Sequence, residues 1–183
     1  TYEYIFSTKT LMNSLRVSII VTVLGTLLSM LMTVMTAYLL AHKELIGHKF
    51  MMNAVIFTLL FSGGMIPGFI LVRSLGMIDS LAALIIPGCI STYNLIIVKN
   101  FFQQLPSELE QSAKIDGCND IMILFRIILP LSLPVLATFS LFYAVGYWNN
   151  YFSCLLYIND SKKWNIQILL RQIVLMSSGI GDQ

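Results

Sequence analysis

The residues of this chain that could do chemistry fall into two groups. The first is a polar stretch, residues 105–118, which carries the carboxylates Glu108, Glu110 and Asp116. The second group combines aromatic rings, which can stack on a ligand, with amides, which can hydrogen-bond to its oxygens. Its members are Tyr143, Trp148, Asn149, Asn150 and Tyr151.

Tyr93 and Asn94 are further candidates, because polar groups inside an apolar run usually face a cavity or another helix. Both sets of candidates also have plainer interpretations. The 143–151 group fits an aromatic belt at a membrane interface together with helix caps. Tyr93 and Asn94 fit hydrogen bonds between packed helices.

Nothing in the chain has the pattern of a catalytic or metal centre. We find no nucleophile–base pair, no cluster of metal ligands and no G-x-x-x-x-G-K-[ST] pattern for binding ATP. The three cysteines lie far apart, which favours small buried residues over disulfides. A net charge of +2 gives no basic field suited to nucleic acid. We therefore predict no catalytic residue, no metal and no cofactor in this chain, and no enzymatic activity.

The elements that carry these residues are predicted to be membrane helices. The chain is 57% hydrophobic and 11% charged, whereas soluble proteins average about 25% charged residues. Four uncharged runs approach or exceed the length of about 20 residues that crosses a bilayer: 17–40, 50–72, 81–98 and 127–147. This predicts an all-α, polytopic membrane bundle, and it argues against a soluble protein with buried helices. Pro130 and Pro134 are expected to kink the fourth helix.

Four spans place residues 41–49 and 99–126 on the same side of the membrane. Five Lys and Arg lie in these two segments and five lie near the membrane on the other side, so the positive-inside rule does not orient the chain. After the fourth span, residues 164–176 have helical apolar spacing but are too few to cross a bilayer. We expect that segment to lie at the surface or to re-enter the membrane.

Residues 105–118 carry their own helix start and stop signals. Ser107 can cap a helix, and Glu110 three residues later would complete a capping box. Gly117 suits the end of a helix, where φ turns positive, and Asn119 suits the cap of the next one. This predicts a helix of about nine residues, a sharp turn, and a long kinked helix that enters the membrane. The short helix is either a docking element for a partner's groove or a solvated connection.

The stretch LPSELEQSAKIDGCNDIMILFRIILPLSLPVLAT resembles the EAA loop of ABC importer permeases. Gln111, Ser112 and Ala113 take the Glu-Ala-Ala positions, Gly117 is the motif's glycine, and Pro130 belongs to its closing Ile-x-Leu-Pro. Gln111 and Ser112 depart from the motif, and Gln111 keeps the hydrogen-bonding capacity of the family's glutamate but not its charge. The Leu-Pro-Leu-x-x-Pro pattern and the stretch FYAVGYWNNYFSCLLYI are similar to the carbohydrate-uptake branch. That branch includes the smaller maltose permease and permeases of oligosaccharide and polysaccharide importers, among them alginate-type importers.

This resemblance implies a type I importer permease, with residues 1–183 forming one transmembrane domain that lacks the family's first and last helices. It implies a bacterial cytoplasmic (inner) membrane location, with the 105–118 loop on the cytoplasmic side. The implied partners are a second permease as heterodimer, two ATPase subunits that bind ATP and Mg²⁺, and an extracellular or periplasmic solute-binding protein. The implied ATPase-coupling residues are Glu108, Glu110, Gln111, Ser112, Ala113, Asp116 and Gly117.

The resemblance to sugar permeases implies that the 143–151 group, together with Tyr93 and Asn94, lines the pathway of an oligosaccharide. The alternatives are a permease for another solute, or an ion-coupled secondary transporter. The secondary transporter would need charged groups within its spans, and the four runs contain none.

Overall fold

The computed structural model describes residues 9–61 and 63–177, and over these residues the chain is all-α with no strand. The predicted fold class, an all-α membrane bundle, is confirmed. The helices, with 3-10 turns at 86–88 and 161–163, are α1 (Lys9–Ala41), α2 (His48–Leu60), α3 (Met65–Ser74), α4 (Ala82–Gly88), α5 (Thr92–Phe102), α6 (Ser107–Ile115), α7 (Asp120–Leu131), α8 (Leu133–Trp148), α9 (Tyr151–Tyr157) and α10 (Ile166–Ser177).

One of the four predicted spans is a single helix. α1 is 33 residues long and apolar enough to cross a membrane by itself. The other three are each a pair of helices, α2 with α3, α4 with α5, and α7 with α8, so the described chain has up to four spans if each pair counts as one. The interruptions fall beside backbone breakers: Gly64 directly precedes α3, with Pro67 in its first turn, and Pro87 and Gly88 form the 3-10 turn that ends α4.

The break between α7 and α8 is a bend of 86° at Ser132, midway between Pro130 and Pro134. Pro130 has no N–H to donate, and the preceding residues 124–128 form a π-helical turn, in which Leu129 N–H bonds to the Leu124 carbonyl. The buried Ser132 hydroxyl bonds to the Ile128 carbonyl at 2.7 Å, and its N–H also donates to that oxygen. A serine that bonds back to a carbonyl four residues earlier favours a bent helix. The kink therefore has three cooperating causes.

The chain divides into two compact units. Unit 1 is Thr1–Leu27, Gly63–Cys89 and Tyr143–Gln183, and unit 2 is Leu28–Ser62 and Ile90–Phe142. In unit 2, the core gathers side chains from α1, α5, α6, α7 and α8, including the fully buried Ala37, Val98 and Ile123. Ala113 is the residue through which the short helix α6 joins this core.

In unit 1, a loop clasp fixes the turn after α3 to the segment after α9. The Asp79 carboxylate accepts the backbone N–H groups of Asn159 and Asp160 at 2.8 and 2.9 Å. These two N–H donors lower the pKa of Asp79 below its usual value. The Lys163 ammonium donates to the Asp79 carbonyl at 2.6 Å. The clasp positions the segment that leads into α10.

A close approach in unit 1 involves Gly25 of α1 and Tyr147 of α8. A Cβ atom at Gly25 would lie 2.8–2.9 Å from three ring atoms of Tyr147. That ring cannot move freely, because it is buried and its hydroxyl donates to the Ile85 carbonyl at 3.1 Å. Glycine is therefore required here by space.

We predict that Gly25→Ala destabilises the protein by about 1–3 kcal/mol, because the added methyl group overpacks this contact. The matched control is Gly146→Ala on α8, where a Cβ meets nothing within 4 Å, and alanine there should be neutral or slightly stabilising. Thermal unfolding of the detergent-solubilised protein compares the two. Equal midpoints for both variants would contradict the close approach.

Candidate functional site

The helix predicted in the 105–118 loop is present and ends as expected. α6 has nine residues, and Gly117 has φ +81°. Cys118 N–H donates to the Ala113 carbonyl at 2.9 Å and Gly117 N–H to the Lys114 carbonyl at 3.1 Å, which is the Schellman pattern. Asn119 then caps α7 by accepting the Met122 N–H at 2.8 Å. The turn between α6 and α7 is therefore defined by hydrogen bonds on both sides.

The predicted capping box at the start of α6 is wrong. Pro106 occupies the N-cap position and makes no side-chain capping bond, so Ser107 lies one residue inside the helix. A box that began at Pro106 would place its acid at residue 109, which is Leu109. The Glu110 carboxylate is consequently free to bond elsewhere.

Glu110 bonds to His42, which follows the end of α1. Its Oε2 lies 2.8 Å from His42 Nε2, and His42 Nδ1 lies 2.9 Å from the Tyr38 carbonyl oxygen. Both partners accept hydrogen bonds only, so both contacts are satisfied when the ring carries two protons. Burial lowers the pKa of His42, but the bonds to Tyr38 and Glu110 outweigh burial, and the pKa lies above its usual value. The pair is a half-buried ion pair that ties α6 to α1.

The two loops that were expected to share one side of the membrane meet at this ion pair. Gln103, just after α5, donates to the Ala41 carbonyl at 3.1 Å. A cavity of about 340 Å³ lies beside α6 and is lined by residues of the segments 41–44 and 102–114, among them His42, Lys43, Glu110 and Lys114. Its walls carry both signs of charge.

Five of the seven predicted coupling residues lie on α6 and divide between two of its faces. Glu110 and Ala113 face the rest of unit 2, because Glu110 bonds to His42 and Ala113 packs into the core. Glu108, Gln111 and Ser112 are exposed, and with Ile115 they follow the i, i+3, i+4, i+7 spacing of one helix face. Ile115 is 86% exposed, which is unusual for an isoleucine. We call Glu108, Gln111, Ser112 and Ile115 the exposed face of α6; Asp116 and Gly117 are exposed beyond its end.

The aromatic and amide group lies in unit 1, and part of it is structural. Asn150 caps α9 by accepting the Ser153 N–H at 3.3 Å, and its carbonyl accepts from the Asn165 amide at 2.7 Å. Tyr143 is only 6% exposed, whereas Trp148 is 37% exposed. The helix-cap interpretation therefore holds for Asn150.

Two residues that sequence reasoning missed contact two members of this group, Tyr151 and Asn149. The Arg171 guanidinium carbon lies 4.7 Å from the centre of the Tyr151 ring. Gln167, one helical turn before Arg171, donates to Asn149 Oδ1 at 3.4 Å. The available signal was the i, i+4 spacing of Gln167 and Arg171 in a segment already predicted to be an amphipathic helix. We call Asn149, Tyr151, Gln167 and Arg171 the Arg171 cluster.

Tyr93 and Asn94 belong to unit 2, at the start of α5. Tyr93 is 62% exposed and Asn94 is buried. Ser91 caps this helix by accepting the Asn94 N–H at 3.4 Å. The structure thus places these two candidates in a different unit from the other five.

Comparisons with known proteins agree with one another. The family described as "Binding-protein-dependent transport system inner membrane component" matches residues 5–178. The chain is 60% identical over 182 residues to the polygalacturonan/rhamnogalacturonan transport system permease protein YtcP of Bacillus subtilis (strain 168), covering 99% of this chain and 64% of that protein. It is 56% identical over 176 residues to Protein LplC of the same strain, covering 96% of this chain and 60% of LplC.

Among solved structures, the chain is similar to a bacterial ABC transporter involved in the import of the acidic polysaccharide alginate. The TM-score is 0.93 at 30% identity, over 96% of this chain and 62% of the other. The chain thus spans less than two thirds of the length of each of these three proteins.

The raised pKa of His42 predicts a pH dependence of stability. The pKa of His42 in the folded protein lies above the unfolded value of about 6.5. The ion pair therefore makes its full contribution to the stability of the fold at a pH below the unfolded value. Its contribution of about 1 kcal/mol or less is lost as the pH rises through the raised pKa. Thermal unfolding in detergent should therefore show a midpoint that falls as the pH rises from the unfolded pKa of about 6.5 through the raised pKa of His42.

The variant His42→Gln should remove this pH slope, and Glu110→Gln should weaken it. His48→Gln is the control, since His48 is the chain's other histidine, and it should keep the wild-type slope. A slope that survives in His42→Gln would show that another group causes it.

Proposed function

This chain belongs to the family of binding-protein-dependent transport system inner membrane components, and from that premise we propose that it is the permease subunit of an ATP-driven importer of oligosaccharides or polysaccharide fragments. The cargo is supported by likeness. One relative is named as a permease for polygalacturonan and rhamnogalacturonan, and the similar crystal structure is of a transporter for alginate.

The observation that carries the proposal is the exposed face of α6. The inner face of this helix is fixed by Ala113 and Glu110, so the outer face is presented in one orientation. That face combines a small residue, Ser112, with an exposed apolar one, Ile115, a composition suited to insertion into a partner's groove. We assign the groove to an ATPase subunit, because the sequence has no phosphate-binding loop of its own.

The coupling step follows from how α6 is joined to the membrane part. When the ATPase subunits close on ATP, they shift α6. The hydrogen-bonded turn at Gly117 and the Asn119 cap form a rigid connection between α6 and α7. Movement of α7 then reaches the bend at Ser132, where the direction of the chain changes. Rigid-body motion of this kind can alternate the access of a central site to the two sides.

The remaining parts of the assembly belong to the same proposal. A second permease completes a heterodimer, two ATPase subunits hold ATP and Mg²⁺, and a solute-binding protein delivers the cargo from outside. The 105–118 loop then faces the cytoplasm of a bacterium, and the chain after residue 148 begins on the outer side. Tyr93, Asn94 and the 143–151 group remain predicted pathway residues, with Asn150 also serving as a cap.

A permease for a non-sugar solute would share the coupling helix, so only the cargo separates it from this proposal. An ion-coupled transporter is separable by energy source. Uptake by the full transporter should cease on ATP depletion with the ion gradients held, and it should persist when the gradients are collapsed with ATP present. The reverse result would favour the ion-coupled alternative.

We predict that Gly117→Trp uncouples uptake from ATP hydrolysis, because any side chain at φ +81° strains the turn that joins α6 to α7. The assembled transporter should still hydrolyse ATP while uptake falls strongly. Gly76→Trp is the matched control, because Gly76 has φ +67° and, like Gly117, open space around its Cβ position. Wild-type uptake by Gly117→Trp, or an equal loss in both variants, would contradict the coupling role.

A further inference from the structure

The Arg171 cluster contains a cation that is stacked on an aromatic ring and that pairs with no carboxylate among the described residues. Arg171 is exposed, and its guanidinium is stacked against Tyr151 at 4.7 Å. Among residues 9–61 and 63–177 the ion pairs are His42 with Glu110 and Lys114 with Asp120, so Arg171 has no carboxylate partner there.

Stacking leaves the hydrogen-bonding edges of a guanidinium available. A planar guanidinium packed on a ring presents its N–H groups around its rim, and two of them match the two oxygens of a carboxylate. The ring contact also removes part of the rotamer freedom that a free arginine would lose on binding. Tyr151 therefore prepares Arg171 to bind a carboxylate.

The neighbours of Arg171 add groups that a sugar ring needs. Gln167 and Asn149 are hydrogen-bonded to each other at 3.4 Å, a long bond that leaves amide donors and acceptors for hydroxyl groups. Asn149 is exposed and Gln167 is half-exposed, so both can be reached by a ligand. The cluster thus offers one site for a carboxylate beside sites for hydroxyl groups. A uronate ring carries both kinds of group.

The charge balance of unit 1 favours an anionic ligand. The sequence of unit 1 has six Lys and Arg against four carboxylates, of which Asp79 and Asp160 lie among the described residues, whereas unit 2 has five of each sign. Asp79 accepts the two backbone N–H groups of the loop clasp, and Asp160 accepts the Lys162 N–H at 2.9 Å. Both carboxylates of the described unit are therefore occupied by the backbone.

We propose that Arg171, stacked on Tyr151 and flanked by Asn149 and Gln167, binds the carboxylate of a uronate residue and so selects acidic over neutral oligosaccharides. This inference rests on the proposed transport function and assigns its specificity to one residue. Its competitors are an Arg171 that extends to lipid head groups and an Arg171 that pairs with a carboxylate of a partner subunit.

The test uses the purified complete transporter without its solute-binding protein, so that only the membrane part selects the ligand. Calorimetry measures the Kd for trigalacturonate and for its fully methyl-esterified, uncharged form. Arg171→Gln should raise the Kd for trigalacturonate on the order of tenfold or more, as expected for loss of a hydrogen bond to a charged group. The Kd for the ester should not change.

Matched variants separate charge, geometry and stacking. Arg171→Lys should bind trigalacturonate with intermediate affinity, because it keeps the charge but not the paired donors. Arg16→Gln and Arg73→Gln are the controls, since both are exposed arginines of unit 1, and they should bind like the wild type. Tyr151→Phe should keep the preference for the acid, and Tyr151→Leu should weaken it.

Equal changes for acid and ester, no change for either, or a wild type that prefers the ester would overturn the inference. A loss of assembled transporter in Arg171→Gln would overturn it in favour of an ion pair with a partner subunit. Each of these results leaves the transport function intact if wild-type cells show ATP-dependent uptake of an oligosaccharide. Absence of that uptake would overturn the proposed function and this inference together.

Discussion

A helix of nine residues is too short to be stable in water by itself, so α6 depends on contacts with the rest of unit 2. Two contacts supply the stability: Ala113 packs into the core, and Glu110 bonds to His42, 68 residues earlier in the chain. Because both lie on one side of the helix, the other side is left exposed in a fixed orientation. The coupling role proposed for α6 is possible only under this constraint.

Hydrogen bonds of the backbone and of two side chains, Asn119 and Ser132, define the path from α6 to the membrane. The Schellman bonds at Gly117 and the Asn119 cap leave few unsatisfied groups between α6 and α7. Further along, Pro130 and Pro134 each remove an N–H, and Ser132 supplies both an N–H and a hydroxyl to the Ile128 carbonyl. In a low-dielectric surrounding these bonds are costly to break. The bend is therefore a stable feature through which a displacement of α7 can pass.

Local signals in the sequence were sufficient for much of this fold. The apolar runs placed the helical segments, Gly117 and Asn119 placed the turn, and the two prolines placed the kink. The capping box failed because Pro106 shifted the start of α6 by one residue. Where three spans proved to be pairs of helices, glycines and prolines marked the breaks but could not determine how sharply the chain turns.

Contacts between distant parts of the chain were beyond local signals. Nothing near His42 in the sequence indicates Glu110 as its partner, and nothing near Tyr151 indicates Arg171. The consequence for the site was large in both cases. Gln111, at the position that carries an acid in the resembled motif, lies on the exposed face of α6. Glu110, one residue earlier, stabilises the helix through its bond to His42. The charged group stacked on Tyr151, Arg171, came from a segment that was expected to lie at the surface or to re-enter the membrane.

The central claim is that Glu108, Gln111, Ser112 and Ile115 form the face that meets the ATPase. The most direct measurement is photo-crosslinking from single sites in the assembled transporter, with benzoylphenylalanine placed in turn at Gln111, at Lys114 beside the cavity, and at Leu75 in unit 1. The account predicts a strong cross-link to the ATPase subunit from position 111, a weaker one from 114 and none from 75. Cross-linking from 114 without any from 111 would contradict it.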